Sequence, residues 1–346
     1  MSPLALWELL RLRSKVGHLS GSILPDRPWE SPDALRWDSM TLESWKQKQL
    51  RSSGARLFLD IVTRAVFTSE PRDLSFLFFL SYLRWGNGLD RLISIPNGAQ
   101  QDRFVGGAQQ ICQKMAKELG DRVILGTPAL AIAQDSDGVL IRTAASTHHA
   151  RYAIVAVPPF LAGRIQYQPE LPARRDQLTA RMPMGSVIKY IAVYGRAFWR
   201  EAGFSGEAFS DTGPTVTTFD DSSPGGSQPA LVSFSDGDAA RIWSDRSPEE
   251  RRTAVLAEFA RFFGSQALEP VAFVEKNWLE DPWSRGCYVG IMGPGTMTAY
   301  GPALREPCGR IHWAGTETAT EWMGYIEGAI LSGDRAAKEV DSRGSQ

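Results

Sequence analysis

His312-Trp313-Ala314-Gly315-Thr316-Glu317-Thr318-Ala319-Thr320, continued by Glu321-Trp322-Met323-Gly324-Tyr325-Ile326-Glu327-Gly328-Ala329-Ile330, is the stretch whose reading decides the fold. It reads as a short apolar strand ending at Ala314 and a Gly/Thr turn with Thr318 and Thr320 as candidate N-caps. A helix then runs to about Val340. Gly324, Gly328, Ser332 and Ala336 recur every four residues and line one helix face that carries almost no bulk. Something must approach the backbone there, either a tightly packed sheet or a flat cofactor lying against the helix start. A helix N-terminus also offers unpaired N–H groups and partial positive charge, which suit anionic groups.

Outward from this stretch, the 346 residues are 43% hydrophobic and 22% charged, with a formal net charge of -1. That balance fits a globular protein with a large core or two domains, and carries no field that would favour nucleic acid or anionic lipid. Cys112, Cys287 and Cys308 lie far apart, and His18, His148, His149 and His312 have no ligand spacing. Neither a disulfide framework nor a metal site is expected, and a cytoplasmic location is. No apolar run approaches the ~20 residues that span a bilayer, so no membrane anchor is expected and the chain reads as soluble.

The mixture of helices and largely antiparallel strands predicts an α/β or mixed α+β fold. Expected helices cover 4–12 (an amphipathic packing helix with Leu4, Trp7, Leu9, Leu10 and Leu12), 41–50, 55–67, 71–86 from Pro71, a helix ending at Gly120, and 248–263. Expected strands are 123–125, 129–134, 139–143, 153–157, 186–193, 215–219, 230–234 and 271–278, with a turn at Asn97-Gly98.

Several long segments resemble the flavin-dependent monoamine oxidases: "AGTETATEWMGYIEGAILSGDRAA", "RLISIPNGAQQDRFVGG", "LPARRDQLTARMPMGSVIKY" and "EKNWLEDPWSRGCYVG", in the family's order. The resemblance covers nearly everything from His18 onward. It implies a two-domain fold with interleaved FAD-binding and substrate domains, here 1–104 and 179–280 for substrate and 105–178 and 281–346 for the remainder of the FAD-binding domain. It implies FAD as cofactor, with Cys287 forming a thioether to the flavin, and an amine and O2 as substrates. Tyr288 and Tyr325 match an aromatic cage, and Lys189 matches a lysine that assists the reaction with O2. Ala129, Gly315, Thr316, Gly324, Tyr325 and Ile326 match cofactor contacts. Trp278 and Trp313 match packing residues near the flavin. Ala65, Val66, Ile93, Ala99, Gln100 and Thr217 match the substrate cavity.

The pattern departs from the family at one point. No G-x-G-x-x-G occurs, and Gly86-Asn87-Gly88 lacks both the third glycine and a preceding strand. The expectation is therefore an amine oxidase whose N-terminal Rossmann portion is missing, with a homodimer or a segment supplied in trans as partner. Alternatives are an inactive truncated homologue or half of a split oxidase serving as a binding or assembly module, and a polyamine or L-amino-acid oxidase.

Overall fold

In the computed structural model, which describes residues 2–344, alternating burial along Val187–Val193 marks the strand around which one half of the protein is built. The strands are β1 (Ala131–Gln134), β2 (Val139–Arg142), β3 (Thr147–Ala150), β4 (Ala153–Val155), β5 (Gln166–Gln168), β6 (Val187–Val193), β7 (Ala208–Phe209), β8 (Thr217–Asp220), β9 (Ala230–Asp236), β10 (Ala272–Asn277) and β11 (Ile311–Trp313). They and the helices belong to two compact units, each assembled from three separate stretches of chain.

The first unit comprises Met1–Ser14, Leu35–Phe79 and Met182–Gly295. Its sheet, in the order β10-β6-β9-β8-β7, is antiparallel throughout. Ile188, Tyr190 and Ala192 project from one face of β6 into a core with Val255, Phe259 and Phe263 of the Pro248–Phe263 helix. Each buried side chain of this size contributes roughly 1.5–3 kcal/mol. The helix starts where its sequence dictates: Ser247 and Glu250 form a capping box, and Pro248 occupies the first turn. The opposite face of β6 is left to Lys189 and Ile191.

The second unit comprises Lys15–Ala34, Leu80–Arg181 and Thr296–Gln346. It holds the mixed sheet β3-β2-β1-β5 and the parallel pair β11-β4. Ile132, Val139, Val155, Leu171, Ile311 and Trp313 form its core. The Arg175 guanidinium stacks 3.6 Å from the Trp313 ring centroid and donates to the Ala303 and Leu304 carbonyls. Burial lowers its pKa to about 10. Trp313 is thus a packing residue, as expected.

The final helix, Ile326–Gly344, starts later than the sequence suggested. Thr318 and Thr320 do not cap it. Residues 316–318 form a 3-10 turn in which the Thr318 hydroxyl donates to the Gly315 carbonyl. Gly324 therefore precedes the helix, while Gly328, Ser332 and Ala336 are buried along one side of it. The chain itself fills that face. The Gly315 N–H donates to Ser332 Oγ at 3.0 Å, and the Trp322 carbonyl lies against Gly328. Close packing within the chain accounts for Gly328 and Ser332.

Other boundaries also differ. The helix expected from Pro71 opens at Phe76, because residues up to Asp73 turn on the Glu70 carbonyl and Ser75 Oγ accepts from the Phe78 N–H. The first helix runs over Pro3–Gly21 and buries Ala5, Glu8, Leu12 and Val16, leaving Leu4, Trp7 and Leu10 exposed. Glu8 is buried because it accepts from the Arg51 and Ser52 N–H groups. Residues 123–125 form no strand, and Ile124 and Leu125 are exposed. Strands β3, β5 and β7 had no clear alternation to announce them.

A methyl group at position 328 would lie 2.3 Å from the Trp322 carbonyl oxygen and 2.8 Å from its carbon, both backbone atoms. Gly328→Ala is expected to destabilise the fold by about 1–3 kcal/mol. Gly333→Ala meets nothing within 4 Å and gains up to about 1 kcal/mol. Thermal melts followed by circular dichroism check both, and equal melting of the two variants would contradict this packing.

Candidate active site

In the first unit, sheet register assembles one row of side chains. Lys276 pairs with Lys189, Lys189 with Phe234, Phe234 with Thr217, and Thr217 with Phe209. Directly opposed residues share a face, and this face lies opposite the Ile188–Tyr190–Ala192 core. Two lysines side by side repel each other. Lys276 is drawn away by Asp281, 2.6 Å from its ammonium, which holds the Asp281 carboxyl down to about 2. Lys189 has no carboxylate partner among the described residues, and its Nζ lies 5.6 Å from the Phe234 ring centroid. On the same phenyl group the Tyr288 ring packs edge-on, with centroids 6.5 Å apart.

Tyr288 is held by its neighbours' backbones. Gly185 donates to the Val289 carbonyl and accepts from the Cys287 N–H, both at 3.0 Å, so its two bonds bracket Tyr288. Approach this close requires glycine at 185, where a Cβ would stand 2.7 Å from the Cys287 carbonyl oxygen. Cys287 and Tyr288 are both half-buried, and the peptide between them is cis. Trp278 is half-buried after β10, with its N–H on the Val187 carbonyl. Ala65 and Val66 are half-buried on the last turn of the Ser53–Phe67 helix, and Thr217 is buried.

In the second unit, Gly315 (φ 105°) turns the chain out of β11. The Thr316 hydroxyl accepts from the Gly324 N–H at 2.7 Å and donates to the Tyr325 carbonyl at 3.1 Å. One side chain thereby folds the 319–325 loop back and presents Tyr325 at the helix start. The Tyr325 ring meets Trp322 edge-on at 5.4 Å, and its hydroxyl is hydrogen-bonded to the Gln100 side chain. Burial raises the Tyr325 phenol above its ordinary value, so the ring stays neutral. Ile93 and Ala99 are half-buried near Gln100, and the Ala99 N–H donates to the Arg91 carbonyl. Ala129 is half-buried just before β1, and Ile326 is exposed. Of the residues picked from sequence, the second unit joins Gln100 with Tyr325 and Thr316 with Gly324.

The sequence reading missed Phe234, Thr68 and Gly185. Strand register alone reveals Phe234. The "MGSV" glycine ahead of β6 was the one available sign of Gly185. In the first unit, a thiol next to an aromatic pair and an ammonium with no carboxylate partner among the described residues suit the ring end of a flavin. In the second unit, the helix start offers Ile326, Glu327 and Gly328 N–H groups with no backbone acceptor among the described residues. The ADP end has no comparable donor set, since no glycine-rich fingerprint is present.

The chain is similar to known proteins over nearly its whole length. A family model described as flavin-containing amine oxidoreductase matches residues 1–341. A probable flavin-containing monoamine oxidase A of Dictyostelium discoideum is 46% identical over 332 residues, covering 95% of this chain and 73% of that protein. The flavin-containing amine oxidase A of Equus caballus is 39% identical over 343 residues, covering 98% of this chain and 65% of the relative. Cyclohexylamine oxidase from Brevibacterium oxydans superposes with a TM-score of 0.93 at 32% identity, covering 98% of this chain and 75% of that one. Putrescine oxidase bound to putrescine gives 0.92 at 29% identity, covering 99% and 76%. The chain thus spans about two thirds to three quarters of the length of these proteins. No helix among the described residues is long and apolar enough to cross a membrane.

Asp236 ends β9, opposite Val187 and next to Gly237, whose N–H donates to the Ser186 carbonyl. It is fully buried, and neither carboxyl oxygen has a hydrogen-bond partner among the described residues. Burial pushes its pKa well above the usual range; Arg64 opposes this and Glu70 reinforces it. Unfolded, the group ionises near ~3.9, whereas folded it keeps its proton. Stability therefore falls as pH rises above about 4, by up to ~1.4 kcal/mol per unit, until the folded pKa is passed. Asp236→Asn removes this loss. Its stability margin over the parent, read by denaturant melts, should widen from pH 4.5 to pH 7, and a constant margin would show that Asp236 is ionised in the fold.

Proposed function

The chain belongs to the flavin-containing amine oxidoreductases, and we propose that it oxidises a primary or secondary amine. For a primary amine the balance is R-CH2-NH2 + O2 + H2O giving R-CHO + NH3 + H2O2, through an imine that water hydrolyses. The observation that carries this reading is the Phe234 ring on the sheet face of Lys189, with the Lys189 ammonium and the Tyr288 ring both against it and Cys287 preceding Tyr288 in the chain. When bound, FAD accepts a hydride from the amine's α-carbon and passes two electrons to O2.

The residues do the rest. An ammonium nitrogen has no lone pair to support the forming iminium, so the amine must shed a proton first. Each ring by itself, Tyr288 in the first unit and Tyr325 in the second, can attract a cation by roughly 0.5–2 kcal/mol. By excluding water, such a ring then favours the neutral amine. Lys189 supplies fixed positive charge for the negative charge that develops on O2. Cys287 is the thiol read as the flavin-attachment point, and the turn at Gly315–Thr316 and the helix start at Ile326 serve the cofactor, the Gly315, Gly324 and Tyr325 N–H groups being held within the chain. Substrate recognition is assigned to 1–104 and 179–280, and flavin binding to 105–178 and 281–346. Ala65, Val66, Ile93, Ala99, Gln100 and Thr217 include no acid and no guanidinium. A monoamine with an apolar substituent suits them better than a diamine or an amino acid.

The ADP half of FAD calls for a dinucleotide-binding unit beyond the motifs in these 346 residues, in cis or as a second polypeptide. Two features of the second unit support this. The parallel pair β4–β11 has only two strands and leaves Ile154 and Val157 exposed, whereas parallel sheets are ordinarily covered on both faces. The Gln109–Leu119 helix buries none of its residues, and Met115 and Leu119 are exposed.

Rapid-mixing kinetics on the flavin-loaded protein separates the roles. Tyr325→Ala is expected to slow flavin reduction by amine ~10-fold or more, with reoxidation by O2 little changed. Lys189→Met is expected to do the reverse, by ~10²-fold or more. Wild-type reoxidation in Lys189→Met would remove Lys189 from the O2 step. Loss of both half-reactions together in either variant would reduce it to a folding defect.

A further inference from the structure

Thr68 is fully buried at the C-terminus of the Ser53–Phe67 helix, in a left-handed conformation (φ 49°, ψ 38°). Glycine or asparagine is the usual residue there, and a β-branched side chain adopts that conformation at a cost. The hydroxyl explains the choice. It lies 2.5 Å from the Cys287 carbonyl oxygen, closer than the neighbouring Phe67 carbonyl at 2.7 Å, and it has one proton to donate. The backbone of Thr68 is committed as well, its N–H to the Arg64 carbonyl and its C=O to the Ser186 N–H. Gly185 lies between the partners: a Cβ there would meet Thr68 Oγ1 at 1.9 Å.

We propose that Thr68 is a positioning residue for the Cys287–Tyr288 pair, fixing the Cys287 carbonyl so that thiol and phenol are presented in register with Lys189 and Phe234. The same residue closes the helix whose last turn carries Ala65 and Val66, so one hydroxyl couples the substrate-lining helix to the flavin-attachment loop. The proposal rests on the reading of Cys287 as the attachment point, but its test does not depend on it.

Thr68→Gly is the informative variant. Glycine meets the backbone demand without strain, so a capping role alone would be preserved or improved, while the bond to Cys287 is lost. Alkylation by iodoacetamide in the folded protein without flavin, resolved by peptide mass mapping, gives the rate at Cys287 relative to exposed Cys112. T68G is expected to change that ratio by about fivefold, the factor that one net hydrogen bond corresponds to. T68S, which retains the hydroxyl, should match the parent. Should T68G melt early, Thr68→Ala carries the same comparison. A ratio unchanged in a folded variant without the hydroxyl overturns the proposal. A second readout is the fraction of flavin that stays with acid-precipitated polypeptide after loading, expected to fall in T68G and recover in T68S. If the parent itself retains no flavin, the attachment reading fails while the alkylation ratio still decides the role of Thr68.

Discussion

Two backbone hydrogen bonds at Gly185, one donated to the Val289 carbonyl and one accepted from the Cys287 N–H, are the constraint on which the candidate residues of the first unit depend. They fasten a loop with little secondary structure of its own to the lead-in of β6, the strand that carries Lys189. Because β6 is anchored on its other face by Ile188, Tyr190 and Ala192, the rigidity of the core is passed to Tyr288 through peptide groups. Side chains that must hold a small cation within a fraction of an ångström need that kind of support. A glycine is obligatory at the crossing because three backbones and the Thr68 hydroxyl converge there.

Charge is arranged with similar economy. The sheet face that carries Lys189 would set it against Lys276, a destabilising pair in isolation. Asp281 takes Lys276 away, and Lys189 is left with an aromatic neighbour and no carboxylate among the described residues. An ammonium with no carboxylate beside it keeps its field unneutralised. Asp236, at the end of β9, is buried, and burial pushes its carboxyl well above the usual carboxylate range.

How much of this could be read beforehand follows from what each signal measures. The Pro248–Phe263 helix was legible to the residue because Ser247, Pro248 and Glu250 are local cap chemistry. β6 was legible because one buried face imposes alternation. Residues 123–125 looked like a strand because they are apolar, yet they join no strand and Ile124 and Leu125 are exposed. The four-residue repeat of small side chains correctly announced a close approach, but Trp322 and Gly315 make it. Lys189, Cys287, Tyr288 and Tyr325 came from resemblance in ordered motifs. Phe234 and Thr68 stayed hidden, since their parts depend on cross-strand register and on contacts more than 200 residues apart for Thr68 and Cys287.

The account holds that these residues carry the amine and flavin-ring chemistry and that the ADP end needs a further unit. The direct measurement is a titration of FAD into the 346-residue chain, alone and with a dinucleotide-binding unit of a relative, followed by a primary amine under nitrogen. The account predicts weak FAD binding by the chain alone. With the unit present, it predicts stoichiometric binding and full loss of flavin absorbance on adding one equivalent of amine. Tight binding by the chain alone would contradict the division of the cofactor site, and flavin that is fully bound yet unbleached by any primary amine would contradict the function.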